Sequence, residues 1–99
     1  MKLRLLRSAI EDLADGRSFY DLQQPSVGDW FFDSIFSDIE ALTSKAGIHS
    51  LHFKFHRLLA SRFPYAIYYK ILEGEVVVFR VLDCRRDPRK IAGDLKTVS

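Results

Sequence analysis

The stretch RFPYAIYYKILEGEVVVFRVL, Arg62 to Leu82, holds two runs of β-branched and aromatic residues joined by Glu73-Gly74. Such runs on either side of a short acidic-glycine turn predict a β-hairpin, with strands over Phe63–Leu72 and Glu75–Leu82. Alternation along the first strand puts Tyr65, Ile67 and Tyr69 on one face and Ala66, Tyr68 and Lys70 on the other. The aromatic residues are therefore divided between two surfaces, and one set must meet another layer of structure. The second strand is apolar on both faces apart from Arg80, which predicts an interior position covered on both sides. Two uses of this sheet stay open at this point. Its aromatics can simply reflect strand propensity in a core. Alternatively, Tyr68 and Lys70, with basic residues of neighbouring strands, form an exposed platform of the kind that stacks single-stranded RNA.

Working outward, Leu51, Phe53 and Phe55 alternate with His52, Lys54 and His56, predicting one more strand and hence an antiparallel meander. Before Gly47 the period changes to that of a helix. Phe32, Ile35, Phe36, Ile39 and Leu42 follow at helical intervals in a segment running from about Pro25 to Ala46, with Gly47 placed to end it. An earlier helix is expected from Ser8, whose spacing to Glu11 is that of a capping box, with Ile10, Leu13, Ala14 and Tyr20 on its apolar side. Gly16 is a weak point there, costing about 1 kcal/mol relative to alanine. The Phe and Trp residues of these helices read as core rather than as a cofactor site. Lys2 to Leu6 reads as an edge strand. Asp87-Pro88 is a helix start, with aspartate as cap and proline first, followed by Ile91, Ala92 and Leu95 over about two turns. A helix of that length needs docking to persist. The expected fold is α+β: an N-terminal helical hairpin packed on a twisted, mainly antiparallel sheet of three to four strands, with a short C-terminal helix, in one domain over residues 1–99.

Composition narrows the function classes. The chain of 99 residues is 47% hydrophobic and 13% aromatic, too apolar for a disordered chain. No run approaches the length of a membrane span, and Arg4 and Arg7 with Glu11 and Asp12 argue against a signal peptide. One cysteine, Cys84, permits no internal disulfide, so a soluble cytoplasmic protein is expected. Residues 1–50 carry five Lys and Arg against eight Asp and Glu, whereas residues 51–99 carry ten against five. The basic second half suits an acidic partner, although chance clustering on a solvated surface would look the same. His52 and His56 are expected about 13 Å apart along one strand, which argues against a metal site that includes His49. No phosphate-cradling glycine loop or nucleophile motif is present, and no cofactor is expected. Cys84, next to Arg85 and Arg86, is either an activated thiol or a plain semi-buried one.

The segment FHRLLASRFPYAIYYKILEGEVVVFRVLDCRRDPRKI, Phe55 to Ile91, resembles the C-terminal half of the RelE/ParE superfamily of bacterial toxins from type II toxin–antitoxin pairs, and its wording is most similar to the ParE-like branch. The upstream order of edge strand, two helices and sheet agrees with that family. The resemblance implies a toxin neutralised by a small cognate antitoxin, in a heterotetramer or larger complex. RelE-like members cleave messenger RNA on the ribosome without a metal, which calls for a base, cations around the phosphate and an acid. Lys54, His56, Arg62 and Arg80 would have to supply these groups. Arg85 to Ser99 contains no tyrosine or histidine, so the C-terminal acid/base position of that pattern is empty. ParE-like members inhibit DNA gyrase by binding, with no chemistry of their own.

The favoured reading is accordingly a gyrase-class inhibitor with Arg85, Arg86, Arg89, Lys90 and Arg57 as the target-binding residues. Those cations can equally be a solvated turn paired with Asp83 and Asp87. A ribosome-dependent endoribonuclease and an inactive, antitoxin-binding homologue are the alternatives. An antitoxin is expected to be acidic and to cover the edge strand and the final helix as an amphipathic helix or an added strand.

Overall fold

The computed structural model describes residues 1–98. Strand β1, Lys2–Leu5, pairs in parallel with residues Glu75 to Val78 and runs directly into helix α1, Arg7–Gln23. The expected capping box does not form. Leu6 is the cap residue and gives no side-chain bond, while the Ser8 hydroxyl donates to the carbonyl of Phe79 at 2.6 Å. The reason lies in the sheet: β1 stops at the partner of Val78, so the neighbouring strand has a bare edge beyond it. Ser8 and Asp12 of α1 cover that edge, the carboxylate of Asp12 accepting the Val81 N–H at 2.9 Å. The buried side of α1 is Ala9, Leu13 and Gly16, offset from the expected Ile10 and Ala14, which are exposed. Gly16 is more than a weak point, because a Cβ there would lie 2.5 Å from the Phe31 ring; the glycine lets the two helices of the hairpin close.

Helix α2, Val27–Glu40, begins two residues after Pro25 and is separated at Ala41 from a single turn, α3, Leu42–Lys45. Its inner stripe is Phe31, Ile35 and Ile39, continued by Leu42; Phe32 and Phe36 stack on each other at the flank instead. Gly47, at φ +92°, turns the chain away as expected and donates its N–H to the Tyr69 hydroxyl.

The alternating segment after Ile48 is a hairpin, not one strand. Strand β2, Leu51–His52, pairs antiparallel with β3, Phe55–Leu59, through a two-residue turn at Phe53 and Lys54, both left-handed at φ 55° and 71°. Positive φ at both positions is the hairpin-matched turn that Asn-Gly normally fills. Strand β4 spans Tyr65–Leu72 and β5 spans Glu75–Asp83. Pro64, lacking an N–H, leaves Phe63 outside the ladder, and its ring joins Tyr20, Trp30 and Phe31 in an edge-on cluster. The sheet has five strands in the order β1-β5-β4-β3-β2, one or two more than expected, with β5 interior and apolar on both faces. A bulge lies where Tyr68 partners Arg80 and Tyr69 partners Val78. Phe79 is left without an opposite residue, so Val76, Val78 and Val81 can all reach the helical-hairpin side.

Helix α4, Pro88–Val98, has 11 residues, about three turns rather than two. Asp87 caps it, accepting the Arg89 N–H at 2.9 Å. Two cores result. Tyr65, Ile67 and Tyr69 pack under α1 and α2, as the alternation predicts. Ala66, Tyr68, Phe79 and Leu82 pack under Ile91 and Leu95 of α4.

Candidate functional site

The exposed RNA platform anticipated at Tyr68 and Lys70 does not exist. Tyr68 is 3% exposed beneath α4, and the Lys70 ammonium lies over the Phe55 ring at 4.5 Å and near that of Phe79 at 5.4 Å. Ile91 and Leu95 of α4, docked on this face, are what close the surface.

The basic residues of the expected target-binding set gather where β5 passes into α4. Asp83 ends β5 and organises the turn, accepting the Arg85 N–H at 2.8 Å and a bidentate pair from its guanidinium at 2.9 and 2.7 Å. Cys84 N–H donates to the Pro64 carbonyl at 2.8 Å, tying the turn to the loop before β4. Arg86 reaches across to Asp94 at 2.8 Å, and Arg89 pairs with Asp87 at 2.9 Å. Lys90 is exposed. Arg57, half-buried on β3, is opposite Tyr68 and adds its charge to the same end of the sheet. The Arg85 guanidinium holds the Asp83 carboxyl below its ordinary value, and Arg89 does the same for Asp87. Burial pushes the Tyr68 hydroxyl and the Cys84 thiol up, with Arg57 working against the shift in both. The activated-thiol reading of Cys84 therefore fails: its thiol is raised, not lowered.

The arginine pairs have a common character. Arg85 and Arg89 remain 57% and 92% exposed although paired, so their bonds are screened by salt and open to exchange with a carboxylate from outside. Electrostatically, this end of the molecule is a row of cations held in place by weak local partners.

Arg80 is different. Its guanidinium makes two bonds to Asp12, at 2.7 and 2.8 Å, and lies 3.8 Å from Asp94, with only 18% of the side chain exposed. It joins α1, β5 and α4. The Asp12 hydrogen bond is the largest cause of its raised affinity for the proton.

The four residues of the nuclease reading are dispersed. Lys54 and Arg62 flank opposite ends of β3. His56 stacks on the Tyr69 ring at 5.1 Å and donates through Nδ1 to the His49 carbonyl at 2.7 Å, beside the loop that follows α3. Arg80 is occupied as described. His49, next to the Tyr69 hydroxyl, has its pKa lowered, first by burial and then by His56. Because the chain reverses at Phe53, the reasoning that separated His52 from His56 along one strand does not hold. Among the described residues no group of three His, Cys, Asp or Glu is placed to hold a metal.

A second feature went unnoticed in the sequence. A groove of about 660 Å³ lies between the β2–β3 turn and α4, with Phe53 and Lys54 on one wall and Arg89, Ala92, Gly93 and Lys96 on the other. Little in the sequence announces it: Phe-Lys carries none of the usual turn residues, and Gly93 is a single interruption in an amphipathic helix.

A family model described as "ParE toxin of type II toxin-antitoxin system, parDE" matches residues 3–88. No curated protein matches the sequence. Among solved structures, the chain is similar to one described as "Chromosomal ParDE TA system from P. aeruginosa", with a TM-score of 0.74 at 20% identity, over 82% of this chain and 92% of that one. At that identity the likeness is one of fold.

Proposed function

The chain belongs to the ParE toxin family of type II toxin–antitoxin systems, and from that premise we propose that it arrests growth by binding a DNA gyrase-class target and is neutralised by an acidic cognate antitoxin in the cytoplasm, in a heterotetramer or larger complex. The observation that carries this reading is the cationic end formed by Arg85, Arg86, Arg89 and Lys90. Its exposed guanidiniums hold only solvent-accessible local carboxylates, which a partner's acidic groups can replace without unfolding anything. The engagement of His56 with Tyr69 and the His49 carbonyl, and of Arg80 with Asp12, supports binding over strand cleavage, since a concerted acid/base step needs its groups free and within hydrogen-bond reach of one phosphate.

The test is induction of the double variant Arg85→Glu/Arg89→Glu, at the two most exposed guanidiniums, beside the native chain. Growth arrest and inhibition of gyrase supercoiling are expected to disappear while the melting curve is kept. Full toxicity of the reversed protein would remove this patch from the mechanism. Immediate translation arrest with cuts in ribosome-bound messenger, in place of DNA-damage signalling, would overturn the gyrase assignment itself.

A further inference from the structure

Four features that the fold does not need coincide at the groove between the β2–β3 turn and α4. Phe53 and Lys54 are held in left-handed backbone that asparagine and glycine adopt more readily, and the Phe53 ring is 56% exposed instead of packed. Gly93 stands in the middle of α4, yet a Cβ there would meet nothing within 4 Å, so no packing inside the molecule calls for glycine. Lys54, Arg89 and Lys96 line the groove, and no acidic residue does. Strand β2 ends the sheet, so its outer edge has no strand partner, and it leads directly into Phe53. Local choices that disagree with the surrounding structure mark functional surfaces when several fall in one place.

We propose that this groove docks an extended acidic segment of the cognate antitoxin, its main chain along the outer edge of β2, an apolar side chain between Phe53 and Ala92 over Gly93, and carboxylates toward Lys54 and Arg89. This rests on the reading of the chain as an antitoxin-neutralised toxin. The missing side chain at position 93 lets a partner backbone approach the helix closely, and an unpaired strand edge supplies main-chain hydrogen bonds that only another polypeptide can match. Single-stranded nucleic acid is a poorer occupant, because it needs successive exposed aromatic faces. The groove offers one ring, and Tyr68 is sealed beneath α4.

The experiment measures binding of the purified chain to the product of the reading frame beside its gene, for the native sequence, Gly93→Ala, Gly93→Phe and Lys54→Glu, with a melting curve for each. Gly93→Ala, whose Cβ meets nothing inside the molecule, is expected to melt no lower than the native chain and to weaken binding by a smaller factor than the other two variants. Gly93→Phe, which fills the groove from an open helical position, and Lys54→Glu are expected to lose at least about tenfold in affinity with melting unchanged. Equal binding by native chain and both disruptive variants would place the antitoxin elsewhere and overturn the groove while leaving the toxin reading intact. Absence of binding by the native chain would overturn both. A dT oligonucleotide that binds the native chain and is released by both disruptive variants, with protein binding kept, would make the groove a nucleic-acid site and overturn the assignment.

Discussion

On one side of β4, Tyr65, Ile67 and Tyr69 are sealed by α1 and α2, and the rings of Tyr20, Phe31 and Phe63 interlock there at centroid distances of 5.0 to 5.1 Å. On the other, Ala66 and Tyr68 are covered by Ile91 and Leu95 of α4 with the half-buried Leu6 and Val98 at the margin, and the outer side of that helix carries charge and a glycine. The first side has two long elements whose shapes fit closely enough to require Gly16. The second has about three turns held at one end by Asp87 and at the side by Asp94. The contrast separates two tasks. The hairpin side holds the interlocked ring cluster, and the α4 side collects the exposed cations, the groove and the strained turn, features that add no packing inside the molecule.

The contrast can be broken most severely at Phe31. Phe31→Ala empties the centre of the ring cluster and is expected to cost about 3–5 kcal/mol in urea unfolding, abolishing the whole transition rather than part of it. Next is Asp12→Ala, which leaves Arg80 largely buried beside only a distant Asp94 and strips the Val81 N–H of its acceptor; about 2–3 kcal/mol should be lost, and equal loss on Arg80→Ala alone would show the two act as one unit. Leu95→Ala should cost about 2 kcal/mol, concentrated in α4, so amide exchange there accelerates while α1 and α2 stay protected. If exchange accelerates equally in the hairpin, the two sides are not separable.

The smallest expected effect is a pH dependence at the loop after α3. His49 titrates below its ordinary value, so protons bind it more readily in the unfolded chain; the contribution of its contact with Tyr69 is complete above the unfolded pKa of 6.5 and fades as pH falls through the lower folded value. The Gly47 amide, which donates to the same hydroxyl, should be less protected at about pH 5 than at about pH 7.5 when its exchange is compared with that of an unstructured chain at the same pH, and His49→Asn should flatten that difference.

Much of this was legible before any coordinates. Period-2 alternation assigned Tyr65, Ile67 and Tyr69 to one side and Ala66 and Tyr68 to the other, because a strand long enough to be interior has no freedom in which face each residue takes. Asp87-Pro88 marked the start of α4 for an equally local reason. What could not be read depended on distant neighbours. Ser8 abandons a good capping geometry because a strand seventy residues later has an unpaired carbonyl. The stripe of α1 shifts to Ala9 and Gly16 because small residues are needed where helices approach, a demand set by Phe31. The reversal at Phe53-Lys54 has no turn residues to announce it. The cationic set was legible as residue types, and its pairing with Asp83, Asp87 and Asp94 only partly so, since Asp94 is brought to Arg86 by the helix. The groove was invisible because its two walls meet only in the folded chain.

The parallel pairing of β1 with β5 has a consequence for synthesis. Lys2 partners Glu75 and Leu5 partners Val78, so β1 leaves the ribosome with no ladder to join until β5 follows it. At translation speeds of 5–20 residues per second that wait is roughly 4–15 s. Throughout it, the aromatic flank of the nascent helices has no sheet to rest on, and the late closure of so long a loop makes folding slow compared with a chain of local contacts. The sheet therefore closes only once β5 has been made, whatever its helices have done before.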